Sequence, residues 1–426
     1  MKSLMPDVAN RKLEGKPIPS EEFRKFGIER DQVYAHVPNL NTLRDHGPNM
    51  IVAECKRQCE FMQNKFKTQV LKKKNKYVMS LSVYRQLHYN DHFGAKVLRP
   101  CNTKFEKLYK PYRGENLDNK RLLIWRTGGI GDLLFIQPNM IHLKEKYPTS
   151  EILFACGPQY HAMVETWDCI DKLVDLPFNY LQMVRSDYHV TFEGVIERCE
   201  EAKEVNAYRL FTQWMGLDLP DEKLIPKQEA KKEWFEKARG ALWSWGINDK
   251  PFILAQLRAS SPIRTPRPQV WGKALDLLAS KGYNIVITDN KRFESGIENF
   301  IETFISKENR ERVFNYAPFS ETLDSTIALA AHSSLVLSID SALVHIAASL
   351  GKRSLTLYGP FPSKVRISTY GDLADSIECN KVSCAPCYIH GHLPCKNAID
   401  DHGICFDDFP FDELEEKVNK AMAHVQ

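Results

Sequence analysis

A chain of 426 residues is long for a single hydrophobic core and implies two domains. Its 43% apolar and 26% charged residues are ordinary for a soluble globular protein. No apolar run reaches the ~18 residues that a membrane-spanning helix requires, so no such span is expected.

The charge is unevenly spread. Residues 1–120 hold 24 Lys and Arg against 13 Asp and Glu, while the remainder holds 34 against 41. A basic first quarter on an acidic body suggests a polyanionic partner, or else a solvated lysine face. The start, Met1 to Lys16, has neither an apolar signal core nor a transit pattern, which reads as cytoplasmic. Eleven cysteines do not make a secreted disulfide framework at this length, but Cys379, Cys384, Cys387, Cys395 and Cys405 crowd into one tract.

Residues 1–118 read as a basic N-terminal extension. Ser20 before Glu21-Glu22 is expected to cap a helix. Met50 to Val70 is expected to form a second helix, and Tyr77 to Tyr84 a strand or edge hairpin. Tyr84-Arg85, His88-Tyr89 and His92-Phe93 interleave aromatic with cationic or titratable side chains, a mixture that stacks on bases or forms the rim of a small domain.

From Lys120 the pattern turns to strands alternating with helices. Leu122 to Trp125 predicts a buried strand, followed by Thr127-Gly128-Gly129-Ile130-Gly131-Asp132 and a helix from Leu133 that Pro138 should bend. Glu151 to Cys156 and Lys172 to Leu176 predict strands, and Val205 to Met215 an amphipathic helix. The tract Asp218 to Lys227, with Pro220 and Pro226, looks like an interdomain connection, so a first domain spans 119–225.

The second domain, 226–410, opens with a charged helix, Glu229 to Trp245. Strands follow at Phe252 to Leu257, Tyr283 to Thr288 and Val313 to Tyr316, with helices at Gln269 to Ser280, Glu294 to Ile305 and Thr322 to Ala331. Ser334 to Ile339 and Ser354 to Tyr358 are strands flanking the helix of Asp340-Ser341-Ala342-Leu343-Val344-His345, and 411–426 is a closing helix. Strand, polar turn, helix, strand is the βαβ unit of a parallel sheet. Two such α/β halves predict two doubly wound sheets facing a cleft.

Ligands of open α/β sheets sit at the carboxyl ends of the strands, where Asp340 and Ser341 fall. Free N–H groups and the positive end of the helix dipole make a phosphate seat there, with His345 one turn on along the face of Ser341; a plain N-cap and a buried histidine fit the same residues. The Gly128–Asp132 loop is not a dinucleotide fingerprint, because position 134 is Leu134 rather than glycine. Its glycines still bring backbone close to a ligand, and Asp132 is either a cap or a general base.

Arg126-x-Gly128-Gly129-x-Gly131-Asp132-x-Leu134, paired with Asp340-Ser341-Ala342-x-x-His345-x-Ala347-Ala348-x-x-Gly351 and Tyr358-Gly359-Pro360, resembles the heptosyltransferase-type glycosyltransferases of glycosyltransferase family 9. The resemblance covers roughly residues 120–410. It implies a GT-B architecture of two Rossmann-like domains, with acceptor held mainly by the first and a nucleotide-sugar donor by the second. It also implies inversion at the anomeric carbon without a catalytic metal.

Carried onto this chain, the resemblance makes Asp132 the base that deprotonates the acceptor hydroxyl. Gly129, Gly131, Asp340, Ser341, Ala342 and His345 become donor-binding residues. Arg264, seven residues before Trp271, loosely matches a lysine on the donor phosphate, with Arg258 and Arg267 beside it in the same Pro-containing loop. An arginine there grips a diphosphate by two parallel hydrogen bonds.

The basic extension departs from the family pattern. An anionic glycan or lipid-linked acceptor is therefore weighed against DNA, as in phage-type enzymes that glycosylate hydroxymethylated bases. A nucleotide-sugar epimerase and a non-catalytic nucleotide-sugar-binding protein are the remaining alternatives. Cys384-Ala385-Pro386-Cys387 with Cys395 and Cys405 has the spacing of a structural zinc site, with Cys379, His390, His392 and His402 as spare ligands.

Overall fold

The computed structural model describes residues 50–55, 59–64, 67–71, 73, 76–80, 97–99, 103–178, 181–389, 395, 397 and 402–423. They fall into two compact units. The first takes the described residues up to 127 with 147–158 and 171–193, and the second takes 128–146, 159–170 and the chain from 194.

In the first unit, β1 (Met50–Cys55), β2 (Cys59–Asn64), β3 (Lys67–Leu71), β4 (Lys76–Ser80), β5 (Val97–Arg99) and β6 (Thr103–Lys107) form two antiparallel three-stranded sheets. Their orders are β4-β1-β6 and β3-β2-β5. The helix expected over Met50 to Val70 is therefore corrected to three strands. Ile51, Val52, Thr68 and Val70 are β-branched and suit a pleated surface, whereas the spacing of Cys55 and Cys59 that mimicked a helical turn spans the break between β1 and β2. The proposed cap at Ser20 and the aromatic–cationic pairs between Tyr84 and Phe93 lie outside the described residues.

A third, all-parallel sheet follows: β7 (Arg121–Trp125), β8 (Glu151–Cys156), β9 (Lys172–Asp175) and β10 (Tyr188–Thr191), in the order β10-β7-β8-β9. Leu123, Trp125, Leu153, Ala155 and Val174 form its core with Leu108, Phe178 and Met183. The central strands β7 and β8 are near-continuous buried apolar runs, as parallel strands covered on both faces require.

The second unit is built on β11 (Phe252–Ala255), β12 (Asn284–Ile287), β13 (Val313–Asn315), β14 (Leu335–Ile339), β15 (Ser354–Tyr358) and β16 (Ala374–Glu378). All pairings are parallel and the order is β13-β12-β11-β14-β15-β16. Numbered within the unit this is 3-2-1-4-5-6, the Rossmann order, and its direction reverses between β11 and β14.

The helices of this unit are α1 (Ile130–Lys146), α2 (Ala207–Trp214), α3 (Lys232–Ser244), α4 (Pro268–Ser280), α5 (Glu294–Phe304), α6 (Leu323–His332), α7 (Ala342–Ser349) and α8 (Phe411–Met422). Pro138 lies inside α1 as a continuous helix. Pro268 opens α4, where its missing N–H costs nothing. Thr322 and Ser325 close a reciprocal capping box at the start of α6.

The approach of α4 to α5 depends on Gly272: a Cβ there would collide with the Phe304 Cβ. Gly272→Ala is expected to lower stability by about 1–3 kcal/mol through overpacking, read as a fall in the denaturant midpoint.

Candidate functional site

The switch point of the six-stranded sheet lies where β11 and β14 end, and the residues that leave those strands meet there. Ser341 caps α7 with extended backbone (φ −146°, ψ 173°), its Oγ accepting from the Leu343 N–H at 3.3 Å. The same Oγ donates to Gln256 Oε1 at 2.7 Å, so the polar residue following β11 is tied to the start of α7. Ser338 Oγ lies 3.0 Å from Ser341 Oγ. Ala342 is the first helical residue, half-buried.

Asp340, only 4% exposed, holds two cations. Arg264 donates from Nη1 to the Asp340 carbonyl at 2.9 Å, and the same nitrogen lies 3.4 Å from Oδ2. Arg366, also buried, places Nε 3.8 Å from Oδ1. Two guanidiniums thus bracket the Asp340 carboxylate beside the positive end of α7. Arg264 Nη2 donates to Ser260 Oγ at 2.8 Å, while its Nε is buried with no hydrogen-bond partner. A buried donor left open beside a helix N-terminus is what an anion site needs.

The loop carrying Arg264 is held from behind. Pro262–Arg264 forms a short 3-10 turn whose Ile263 is 1% exposed, and Ala259 N–H donates to Thr265 Oγ1 at 3.1 Å. A Cβ at Gly403 would lie 2.6 Å from the Ile263 carbonyl oxygen, and one at Gly359 would lie 2.5 Å from Cys405 Sγ. The end of the cysteine tract thus packs against both the Arg264 loop and the Gly359-Pro360 turn.

The glycine loop reaches the same place. Helix α1 packs against α7, and a Cβ at Gly131 would sit 3.2 Å from His345 Cδ2 and 3.7 Å from its Nε2. The motifs around Gly131 and His345, more than two hundred positions apart, are therefore in contact. Asp132 is half-buried in the first turn of α1 and accepts at Oδ2 from the Gly129 N–H at 3.0 Å. The cap leaves a partly accessible carboxylate at the mouth of the loop.

His345 itself is enclosed at 3% exposure, ringed by Phe135, Tyr208 and Tyr370. Burial pushes its imidazole down to about 3, with Asp340 opposing and Arg366 assisting, so the ring is neutral at any working pH. It supports the loop from beneath. Arg258, in contrast, turns to Asp289 (Nε to Oδ2, 2.8 Å) and lies over the Phe293 ring. There it borders a pocket of ≈ 250 Å³ that Leu257, Trp271, Ile287 and Phe300 also line.

Several residues of this site were not anticipated. Gln256 carried a signal, as the first polar residue after an apolar strand; Arg366 and Tyr370 carried none. In the first unit, Glu193 follows β10 and accepts from the Thr127 N–H and from Thr127 Oγ1 (2.7 Å), while Arg126 Nη1 donates to the Phe192 carbonyl at 2.7 Å. This polar cluster marks the switch point of the four-stranded sheet.

Of the cysteine tract, Cys384 is exposed, Cys387 and Cys395 are half-buried and Cys405 is buried. Asn397 N–H donates to Cys395 Sγ at 3.4 Å. Among the described residues, no group of three or more His, Cys, Asp or Glu side chains is placed to hold a metal ion. His390 and His392 lie outside the described residues. No helix among the described residues is long and apolar enough to cross a membrane.

Two parallel α/β sheets, the second in Rossmann order, define a GT-B-like fold. Residues 197–393 match the family model described as glycosyltransferase family 9 (heptosyltransferase). That stretch is just under half of the chain, and its likeness to family 9 supports a glycosyltransferase. Among curated proteins none matches it.

Solved structures share the fold at low identity. A glycosyl transferase family 9 protein from Veillonella parvula aligns at 15% identity over 73% of this chain and 99% of its own, with a TM-score of 0.56. The ADP-heptose lps heptosyltransferase II of E. coli aligns at 14% over 72% and 99%, with a TM-score of 0.51. The iron-containing dodecameric glycosyltransferase TibC of enterotoxigenic E. coli aligns at 13% over 89% and 92%, with a TM-score of 0.52.

Proposed function

We propose that the protein transfers a sugar, with inversion, from a nucleotide-sugar to a hydroxyl of an anionic glycan or lipid-linked acceptor. One observation carries this reading: Gly131 lies against His345, which supports taking the carboxylate of Asp132 and the start of α7 at Asp340–Ser341 as parts of one site. Asp132 takes the acceptor proton as the new bond forms. The Arg264 guanidinium and the α7 N–H groups stabilise the departing diphosphate where its charge grows. Gly129 and Gly131 let the loop backbone approach the sugar. Arg258 serves the nucleoside end through the pocket it borders. In this scheme 119–225 is the acceptor side and 226–410 the donor side.

ADP-heptose is the first donor to try, because TibC, which shares the fold, is known in complex with ADP-D-beta-D-heptose. The test is incubation with a panel of nucleotide-sugars and with anionic glycan, lipid-linked or hydroxymethylated DNA acceptors. The expected result is product of inverted anomeric configuration on a glycan or lipid-linked acceptor. Product only on DNA would reassign the acceptor. An epimer formed with no acceptor, or donor binding without any product, would overturn transfer itself.

For the cysteine tract we read Cys384, Cys387, Cys395 and Cys405 as ligands of a structural metal with no catalytic role. The spacing supports this, and so does the chemistry of the donor set: four thiolates suit zinc or iron, and TibC is titled iron-containing. Metal analysis of the purified protein is expected to find about one ion per chain, lost together with thermal stability in Cys384→Ser/Cys387→Ser. Metal-free protein of undiminished stability would refute the assignment.

A further inference from the structure

His345 does not stand alone beneath the glycine loop. Its Nδ1 lies 2.5 Å from the hydroxyl of Tyr370, which follows β15, and that hydroxyl lies 2.6 Å from the hydroxyl of Tyr208, the second residue of α2. Tyr208 is fully buried and Tyr370 is 2% exposed. Among the described residues the Tyr208 hydroxyl has one hydrogen-bond partner, Tyr370.

This end point fixes the direction of the chain. If Nδ1 carried the proton, it would donate to Tyr370, Tyr370 would donate to Tyr208, and the Tyr208 proton would be buried without an acceptor. Leaving a buried donor unpaired costs about 1–3 kcal/mol. In the opposite sense Tyr208 donates to Tyr370 and Tyr370 donates to Nδ1, and the one proton left without an acceptor sits on Nε2, on a ring 3% exposed rather than on the fully buried Tyr208 hydroxyl. The Nε2 edge is the one that faces Gly131.

We propose that Tyr208 and Tyr370 are positioning residues that lock His345 as its Nε2–H tautomer and aim that N–H at the glycine loop of the transfer site. The role in catalysis rests on the function proposed above; the tautomer does not. The relay ties α2, α7 and the 3-10 stretch before β16 to one another under the loop. It gives the wall beside Gly131 a donor of fixed direction and constant protonation.

The test uses the full-length protein labelled with ¹⁵N in histidine and long-range ¹H–¹⁵N spectra at neutral pH, with the His345 signals assigned by their loss in His345→Gln. The expected wild-type pattern is a single neutral tautomer protonated at Nε2. Tyr370→Phe is expected to shift His345 toward a mixture of tautomers, and Tyr208→Phe to shift it less, in the same direction. With donor and acceptor in hand, Tyr370→Phe should lower kcat roughly three- to tenfold, one neutral hydrogen bond's worth, with donor KM nearly unchanged.

A wild-type Nδ1–H tautomer overturns the proposal, as does an unaltered His345 pattern in folded Tyr370→Phe. If that variant fails to fold, the wild-type pattern and Tyr208→Phe decide. A confirmed tautomer in a protein that transfers nothing would sink the functional reading and spare the relay.

Discussion

Asp132→Asn is expected to abolish sugar transfer, with kcat down by about 10²–10⁴, while donor affinity stays within about twofold. The substitution is conservative where it should be. Asp132 Oδ2 accepts the Gly129 N–H at the start of α1, and the amide oxygen of asparagine accepts it equally well. The cap, the loop and its contact with His345 therefore persist. Only the ability to take a proton disappears. Single-turnover assays beside nucleotide titration separate the two effects. Full turnover by the variant would move the base elsewhere, with Glu193 the first carboxylate to test.

Arg264→Ala should act in the opposite way, weakening nucleoside diphosphate binding about 10- to 100-fold. Charge-assisted hydrogen bonds are worth about 1.5–3 kcal/mol, and each 1.4 kcal/mol is tenfold. The side chain is 16% exposed and already anchored to Asp340 and Ser260, which holds its guanidinium in place beside the start of α7. The variant should fold, since Asp340 retains Arg366. Arg264→Lys should fall between, because an ammonium keeps the charge and loses the planar fork. Calorimetry with ADP reads the series. Affinity unchanged in Arg264→Ala would transfer the role to Arg258 or Arg267.

The second half of the chain was legible because its physics is local. Apolar runs such as Ile253–Ala255 and Leu335–Ile339 are buried on both faces, and glycines and caps punctuate them, so strand and helix positions follow from pattern alone. β16 escaped because its alternation, Ala-Asp-Ser-Ile-Glu, buries only Ile377 and looks like a loop. β10 was missed with it, and Glu193 went unnoticed for that reason. In the first quarter a run from Met50 to Val70 satisfied a helical period, but long-range pairing with β4 and β6 decides the matter and no local signal carries it.

The site divides along the same line. Asp132, Asp340, Ser341 and Arg264 stand at element ends where chemistry is expected. Arg366 and Tyr370 reach the site from a segment with no motif of its own. His345 illustrates the limit: its place on the face of Ser341 was readable, whereas its enclosure by Phe135, Tyr208 and Tyr370 depends on three separate segments.

The place where a nucleotide-sugar binds tests the proposed site most directly. Hydrogen exchange of the full-length protein, with and without saturating ADP-heptose and then the other nucleoside diphosphate sugars, resolves this by segment. One of these ligands should slow exchange in peptides covering 128–134, 258–267 and 338–346 together. Protection confined to other parts of the chain, or absent with every donor, would contradict it.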